Sequence, residues 1–192
     1  MKHISNIIFD FDGTLIDSKP LHHYRYLLTK FPRHSKEHIQ ATKEFLSHIK
    51  ECHPYEGISE ALEYINNNGY TIYVLTASTK QNVLAAIKHF NLSQYISPNN
   101  VISSYSIDRN KRITKKNGNP TLFLHLLDKF KLDPNTCLAF GNEVIDTIAA
   151  NKANIDAYNC LWGAETEDKK HMIETMKNIS IDRPTDIINI LN

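Results

Sequence analysis

The chain has 192 residues, of which 41% are hydrophobic and 22% charged, with a net charge of +1. That length supports one domain with a sizeable core and at most a small inserted module. A near-neutral balance gives no field of one sign to gather nucleic acid or hold an anionic membrane, and no apolar run approaches membrane-spanning length, so neither is an expected partner.

Asp10 and Asp12 interrupt the N-terminal apolar stretch, which excludes a secretory leader there. Three widely spaced cysteines, Cys52, Cys137 and Cys160, offer no disulfide framework, and Cys137 and Cys160 read as small core residues. The expected location is the cytoplasm.

Short β-rich runs alternate with amphipathic stretches, the pattern of an α/β fold with a mainly parallel sheet. Ile4 to Phe9 is the first strand and ends at Asp10. The next stretch breaks the alternation: Leu21 to Lys30 and Ser35 to Lys50 carry helical periodicity with no strand between them. Residues 18–54 are therefore expected to form a small helical cap, with residues 1–17 and 55–192 as the core domain. An ordinary crossover with one extra helix is the other reading. A helix over Ile58 to Asn67 follows, stopped by Asn68-Gly69. Thr71 to Leu75 is the second strand, Thr79 to Phe90 a helix, and Val101 to Ser104 a weaker strand. Pro120 suits the start of a helix over Thr121 to Phe130. Thr136 to Phe140 is a buried strand ending at Gly141, then come a helix from Glu143 to Ala153 and a strand from Ile155 to Cys160. Ile179 to Ile181 and a helix from Pro184 to Leu191 close the chain.

Ligands of open α/β sheets collect at the carboxyl ends of the strands. The first strand ends Asp10-Phe11-Asp12-Gly13-Thr14-Leu15, with carboxylates at i and i+2 and a glycine that lets the backbone bend close to a ligand. Two like charges there cost stability unless a cation neutralises them. Hard cations such as Mg²⁺ are held by a few oxygens together with substrate phosphate. The pair reads as a metal and phosphate site.

The stretch Asp10-Phe11-Asp12-Gly13-Thr14-Leu15-Ile16-Asp17-Ser18 closely resembles the first motif of the haloacid dehalogenase-like superfamily. The Gly57 to Gly69 helix with its following strand, the run Gly141-Asn142-Glu143-Val144-Ile145-Asp146 into Ala149-Ala150, and Trp162-Gly163 resemble later segments of the same superfamily. The resemblance implies a Rossmann-like parallel sheet flanked by helices, and a Mg²⁺-dependent phosphohydrolase acting on a small phosphorylated metabolite. It implies Asp10 as the nucleophile that forms an aspartyl-phosphate and Asp12 as the acid and base. Asp12 favours phosphoryl transfer over dehalogenation, because halide leaves unprotonated. Thr76 matches the second-motif hydroxyl, and Thr76 and Ala77 would bind the phosphoryl group; Ala77 stands where relatives often have Asn.

The third and fourth motifs depart from the pattern. Relatives carry Lys-Pro-x-Pro before a helix, whereas this chain reads Lys115-Lys116-Asn117-Gly118-Asn119-Pro120, and neither register lands on a lysine. Lys116 is the nearest substitute as the phosphate-site lysine, Lys115 the reserve, and solvated loop charges the plain alternative. Asn142 stands where relatives have the Asp that binds Mg²⁺ directly, Glu143 is next to it, and Asp146 lies one turn along. The implied metal residues are Asp10, Asp12, Asn142 and Asp146. These departures set up one rival, a weakened or inactive relative that only binds; a phosphotransferase (phosphomutase) is a further alternative, ranked lower because the cap is too small for the enclosed chamber expected of a mutase.

Other polar groups carry less. His34 and His38 at i, i+4, with His22-His23, lack a further ligand at a zinc spacing and read as surface histidines on the cap. Glu51-Cys52-His53-Pro54 reads as a linker, Asp17 and Ser18 as the hinge, and Arg109, Lys111 and Arg112 as a basic loop cluster.

Overall fold

The computed structural model describes residues 3–32, 34–104 and 115–192, except for the side chains of Thr29 and Lys116. Arg109, Lys111 and Arg112 lie outside the described residues. Strand β1 (Asn6–Asp10) is the centre of a six-stranded parallel sheet. Beside it lie β4 (Thr71–Thr76) and then β5 (Val101–Ser103) on one flank. On the other flank come β6 (Cys137–Gly141), β7 (Asp156–Cys160) and β8 (Ser180–Ile181). In β1, Ile7 and Phe9 face one apolar layer with Leu62, Val74 and Phe140, while Ile8 faces the other with Leu75, Leu122 and Ala139. Alternate residues point to opposite faces, so a strand covered on both sides must be apolar throughout.

Helices α3 (Ile58–Asn67), α4 (Lys80–His89), α5 (Thr121–Phe130), α6 (Val144–Lys152) and α8 (Asp186–Leu191) occupy the stretches whose periodicity predicted them. In α3 the buried set is Ile58, Ala61, Leu62 and Ile65, the expected stripe. α7 (Thr166–Thr175) has no sequence-based counterpart. Met172 is its one buried residue, so the helix carries no apolar period to read. At the strand ends the differences are small: Ile4 precedes the ladder, and Ile179 belongs to a single helical turn before β8.

Between Ser18 and Cys52 the chain forms α1 (His22–Lys30) and α2 (Lys36–His48). Ser35 caps α2 by accepting from the His38 N–H at 3.1 Å. Tyr24 on α1 stacks on His48 of α2, and its hydroxyl lies 2.9 Å from His48 Nε2. Two short strands, β2 (Ile16–Asp17) and β3 (His53–Pro54), pair antiparallel where this helical segment leaves and rejoins the sheet domain. Both are too short to show an alternation in sequence. Cys52, Cys137 and Cys160 are buried free thiols. Among the described residues no helix is long and apolar enough to cross a membrane.

Candidate active site at the carboxyl end of the sheet

Asp10 is the last residue of β1, and Asp12 lies beyond it in the turn that Gly13 completes. Gly13 has φ +85, and a Cβ there would stand 2.3 Å from Asn142 Nδ2. Its carbonyl oxygen would be 1.6 Å from a Cβ on Gly163, so these two loops meet backbone to backbone and tolerate no side chain. Trp162 fastens the same contact by donating its Nε1–H to the Thr14 carbonyl at 2.9 Å.

Asn142, at the end of β6, belongs to this clamp. Its Oδ1 accepts from the Thr14 hydroxyl at 3.1 Å and its Nδ2 donates to the Gly163 carbonyl at 3.1 Å. Both ends of the amide are thus engaged in joining the loops after β1, β6 and β7. The neighbouring Glu143, by contrast, lines the cavity beside Asp10 and Asp12. Burial, and then the Asp146 carboxylate, raise the Glu143 carboxyl above its ordinary range.

The lysine that reaches the strand end is Lys115. Its Nζ pairs with Asp10 Oδ1 and lies 2.7 Å from Asp146 Oδ1, and all three side chains are nearly enclosed. The backbone of Lys116 starts a short helical turn through Gly118. Asp146, in the first turn of α6, also accepts from the Glu143 N–H through Oδ2 at 3.3 Å. Burial pushes the Asp10 carboxyl up to about 7; the Lys115 ammonium pulls the other way, and the Asp146 and Asp12 carboxylates add to the rise. Burial disfavours the Lys115 ammonium, yet Asp10 and Asp146 outweigh it and hold that group above the usual lysine range.

Thr76 ends β4 fully buried, with its Oγ1 accepting from the Ser78 N–H at 2.9 Å. That bond folds the loop so that Ala77, Ser78 and Thr79 line the cavity. Ser78 donates its hydroxyl to Asp12 Oδ2 at 2.7 Å, and Ser103 donates to the Ser78 carbonyl at 2.6 Å. Asp12 Oδ1 is taken by Arg25, which reaches down from α1.

The cavity holds about 340 Å³. Its floor is Asp10, Asp12, Lys115 and Glu143, and its roof is built by α1 and α2 through Arg25, Leu28, His38, Thr42 and Phe45. The structure therefore brings together Asp10, Asp12, Ala77, Lys115 and Asp146, with Thr76 and Asn142 shaping the loops around them. Of the histidines weighed from sequence, His38 lines the cavity. Arg25 and Ser78 were not singled out from the sequence. Ser78 had a readable cue, a hydroxyl two residues past Thr76; Arg25 had none, because its reach depends on how α1 folds over β1.

Among the described residues no group of three or more His, Cys, Asp or Glu converges as a ready metal cage. The carboxylates facing the cavity are Asp10, Asp12 and Glu143. Such a set suits a hard dication that keeps several waters and completes its shell with phosphate oxygens. A dication would also offset the burial that chiefly raises Asp10 and the smaller repulsion from Asp146 and Asp12.

A parallel sheet with an acid pair at the tip of its central strand, under a helical roof, defines an α/β protein with a crevice at the carboxyl end of its sheet. The profile of the haloacid dehalogenase-like hydrolase family matches residues 23–160, and the chain belongs to that family. The match begins after the Asp10 to Ser18 stretch. A predicted phosphoglycolate phosphatase from Haemophilus somnus superposes with a TM-score of 0.77 at 20% identity, over 100% of both chains. A haloacid dehalogenase-like family hydrolase from Streptococcus pneumoniae gives 0.73 at 17% identity over 100% of both. A proposed beta-phosphoglucomutase from Thermotoga maritima gives 0.70 at 19% identity over 98% of both. At these identities the likeness establishes the fold. No curated protein sequence matches the chain significantly.

Proposed function

We propose that this protein is a Mg²⁺-dependent phosphomonoesterase of the cytoplasm, acting on a small phosphorylated metabolite. The observation that carries the reading is the Asp10–Asp12 pair at the end of β1, facing a partly open cavity with Lys115 on Asp10. In the first step an Asp10 carboxylate oxygen attacks phosphorus, the ester P–O bond breaks, and Asp12 gives its proton to the departing alcohol oxygen. In the second step Asp12 takes a proton from water, the water oxygen attacks phosphorus, and inorganic phosphate leaves with Asp10 restored. Lys115 offsets negative charge on Asp10 and on the transferring group, while Asp146 keeps the ammonium in place. The Ala77 to Thr79 loop lines the cavity and would receive the phosphoryl group, with the Ser78 N–H already held by Thr76. Asp10, Asp12 and Glu143 would hold the Mg²⁺, with Asn142 acting as a clamp between loops. The cation supplies charge neutralisation for the phosphoryl oxygens. Residues 18–54 act as a small cap that excludes water from this chemistry.

The phosphoglycolate phosphatase and phosphoglucomutase descriptions of two structural neighbours are compatible with a phosphate ester as substrate. The test is hydrolysis of a panel of phosphate monoesters with Mg²⁺, with and without a chelator, against an Asp10→Asn control. Turnover no faster than that control sinks the reading.

A binding protein with a decayed metal site is the second reading, favoured by the uncharged Asn142 and its engaged amide. Calorimetry with Mg²⁺ and vanadate separates the two. Undetectable binding of either ligand favours the binder.

A further inference from the structure

Helix α6 carries Asp146 in its first turn, and the two oxygens of that carboxylate have separate tasks. Oδ2 accepts from the Glu143 N–H at 3.3 Å, while Oδ1 lies 2.7 Å from Lys115 Nζ. The fit is close on the other side as well, since a Cβ on Gly141 would stand 2.5 Å from Asp146 Oδ2. A shift of about 1 Å at the start of α6 would carry the Lys115 contact past hydrogen-bond range, about 3.2 Å. Apolar packing does little to prevent such a shift. The buried apolar residues of α6 are Ala149 and Ala150, with Ala153 just beyond its end, and they share a layer with Ala139 and Ala157 of the sheet. Helices register on their neighbours through ridges and grooves, and alanines make shallow ones.

Against that smooth layer stands a buried polar contact. The hydroxyl of Thr147, the residue after Asp146, donates to Asn159 Oδ1 in β7, and both side chains are buried. Asn159 is engaged at its other end too. Its Nδ2 donates to Ser180 Oγ at 3.4 Å, and Ser180 in turn donates to the Met176 carbonyl at 2.9 Å. Asn159 stands in register with Gly141 of β6 and Ser180 of β8, so its amide is held from both sides. Such a bond adds little net stability, because both groups give up water to make it. What it fixes is direction.

We propose that Thr147 and Asn159 are positioning residues of the site: their bond sets where α6 begins against the sheet and so aims Asp146 at Lys115. The path runs from Asn159 to Thr147, from Asp146 to Lys115, and from Lys115 to Asp10. Its catalytic consequence rests on the phosphomonoesterase reading, in which Lys115 offsets charge on the transferring group. A lysine no longer held by Asp146 leaves its transition-state position, which lowers kcat more than it raises KM.

The test is a double-mutant cycle read by thermal melts, and it needs no ligand. Thr147→Val combined with Asn159→Leu removes both partners, so neither is left buried and unpaired, and the protein is expected to melt cooperatively. In the wild type, Lys115→Met is expected to lower Tm by roughly 6–20 °C. In the combined variant the same substitution is expected to cost at most half as much, because Asp146 no longer faces the lysine. With Thr147→Ser, which keeps a hydroxyl, the full wild-type cost is expected to return. A role confined to packing leaves the costs equal, and equality within about 2 °C overturns the proposal. On phosphate esters the combined variant is expected to lose kcat about 10-fold with KM within about threefold, and an unchanged kcat overturns the proposal. Additive melts in a protein that hydrolyses esters defeat the anchor alone. Coupled melts in a protein that hydrolyses none uphold the anchor and defeat the phosphatase reading.

Discussion

Lys115→Met is the sharpest probe of how the strand end is held together. The lysine is nearly enclosed between Asp10 and Asp146, so removing it leaves two buried carboxylates facing each other without a cation. Removing one partner of a buried ion pair costs about 3–5 kcal/mol, against a total of about 5–15 kcal/mol for a typical domain. For a chain of this size that corresponds to a fall in Tm of roughly 6–20 °C. The loss has a pH signature. Asp10 titrates at about 7 in the folded protein, above the ordinary aspartate value near 4. Between those values the folded chain holds a proton that the unfolded chain has released, so stability falls as pH rises through the window. Without the pull of Lys115 the folded value climbs further and the fall is steeper. The wild type keeps the ammonium's contribution in full below the ordinary lysine range, since that group is raised on folding. The deficit of the variant is therefore expected to be large at pH 8 and much smaller at pH 5. Urea unfolding followed by the fluorescence of Trp162, the single tryptophan, measures it directly. A deficit under about 1 kcal/mol at pH 8, or one equal at both pH values, would refute the assignment of Lys115 as the buried counter-ion.

Asn142→Asp, which brings the chain closer to the family pattern, is expected to destabilise the metal-free protein by about 1–3 kcal/mol, because a carboxylate oxygen replaces the donor that meets the Gly163 carbonyl. Thermal melts without divalent cation check it, and an unchanged Tm would show that the clamp is not needed. Gly163→Ala forces a methyl into the Gly13 carbonyl and is expected to unfold the loop contact; loss of the Trp162 fluorescence environment in an otherwise folded protein is the readout. Phe45→Ala opens a void under α2 where a buried ring now packs, with an expected cost of about 3–5 kcal/mol in urea titration. Asp12→Asn should stop turnover of alkyl phosphates; esters with acidic phenol leaving groups, whose departure needs no proton, should release a single burst of phenol and then stall for want of the base that activates water, which rapid-quench kinetics would show.

Much of the fold was legible because a doubly covered sheet writes itself in apolar runs. β1, β4 and β6 carry uninterrupted hydrophobic cores, and α3 and α5 carry clean stripes with glycine or proline at their ends. α7 was not legible, since a helix with Met172 alone buried has no pattern. The Asp10–Asp12 pair announced itself because charge at the end of an apolar strand demands a reason. The site lysine was ambiguous for a physical cause: Lys115 and Lys116 are adjacent where a short helical turn begins, and two neighbouring lysines give the local pattern nothing by which to choose between them. Asn142 read as a metal-site substitution; its bond with Thr14 spans 128 positions and its bond with Gly163 spans 21, distances across which sequence shows no period.

The antiparallel contact of Ile16 with Pro54 and of Asp17 with His53 brings the two ends of the roof segment side by side. A segment whose ends already meet can be lengthened, shortened or exchanged at little entropic cost to the rest of the chain. The floor, with its acids and lysine, is thereby insulated from changes of length in the ceiling.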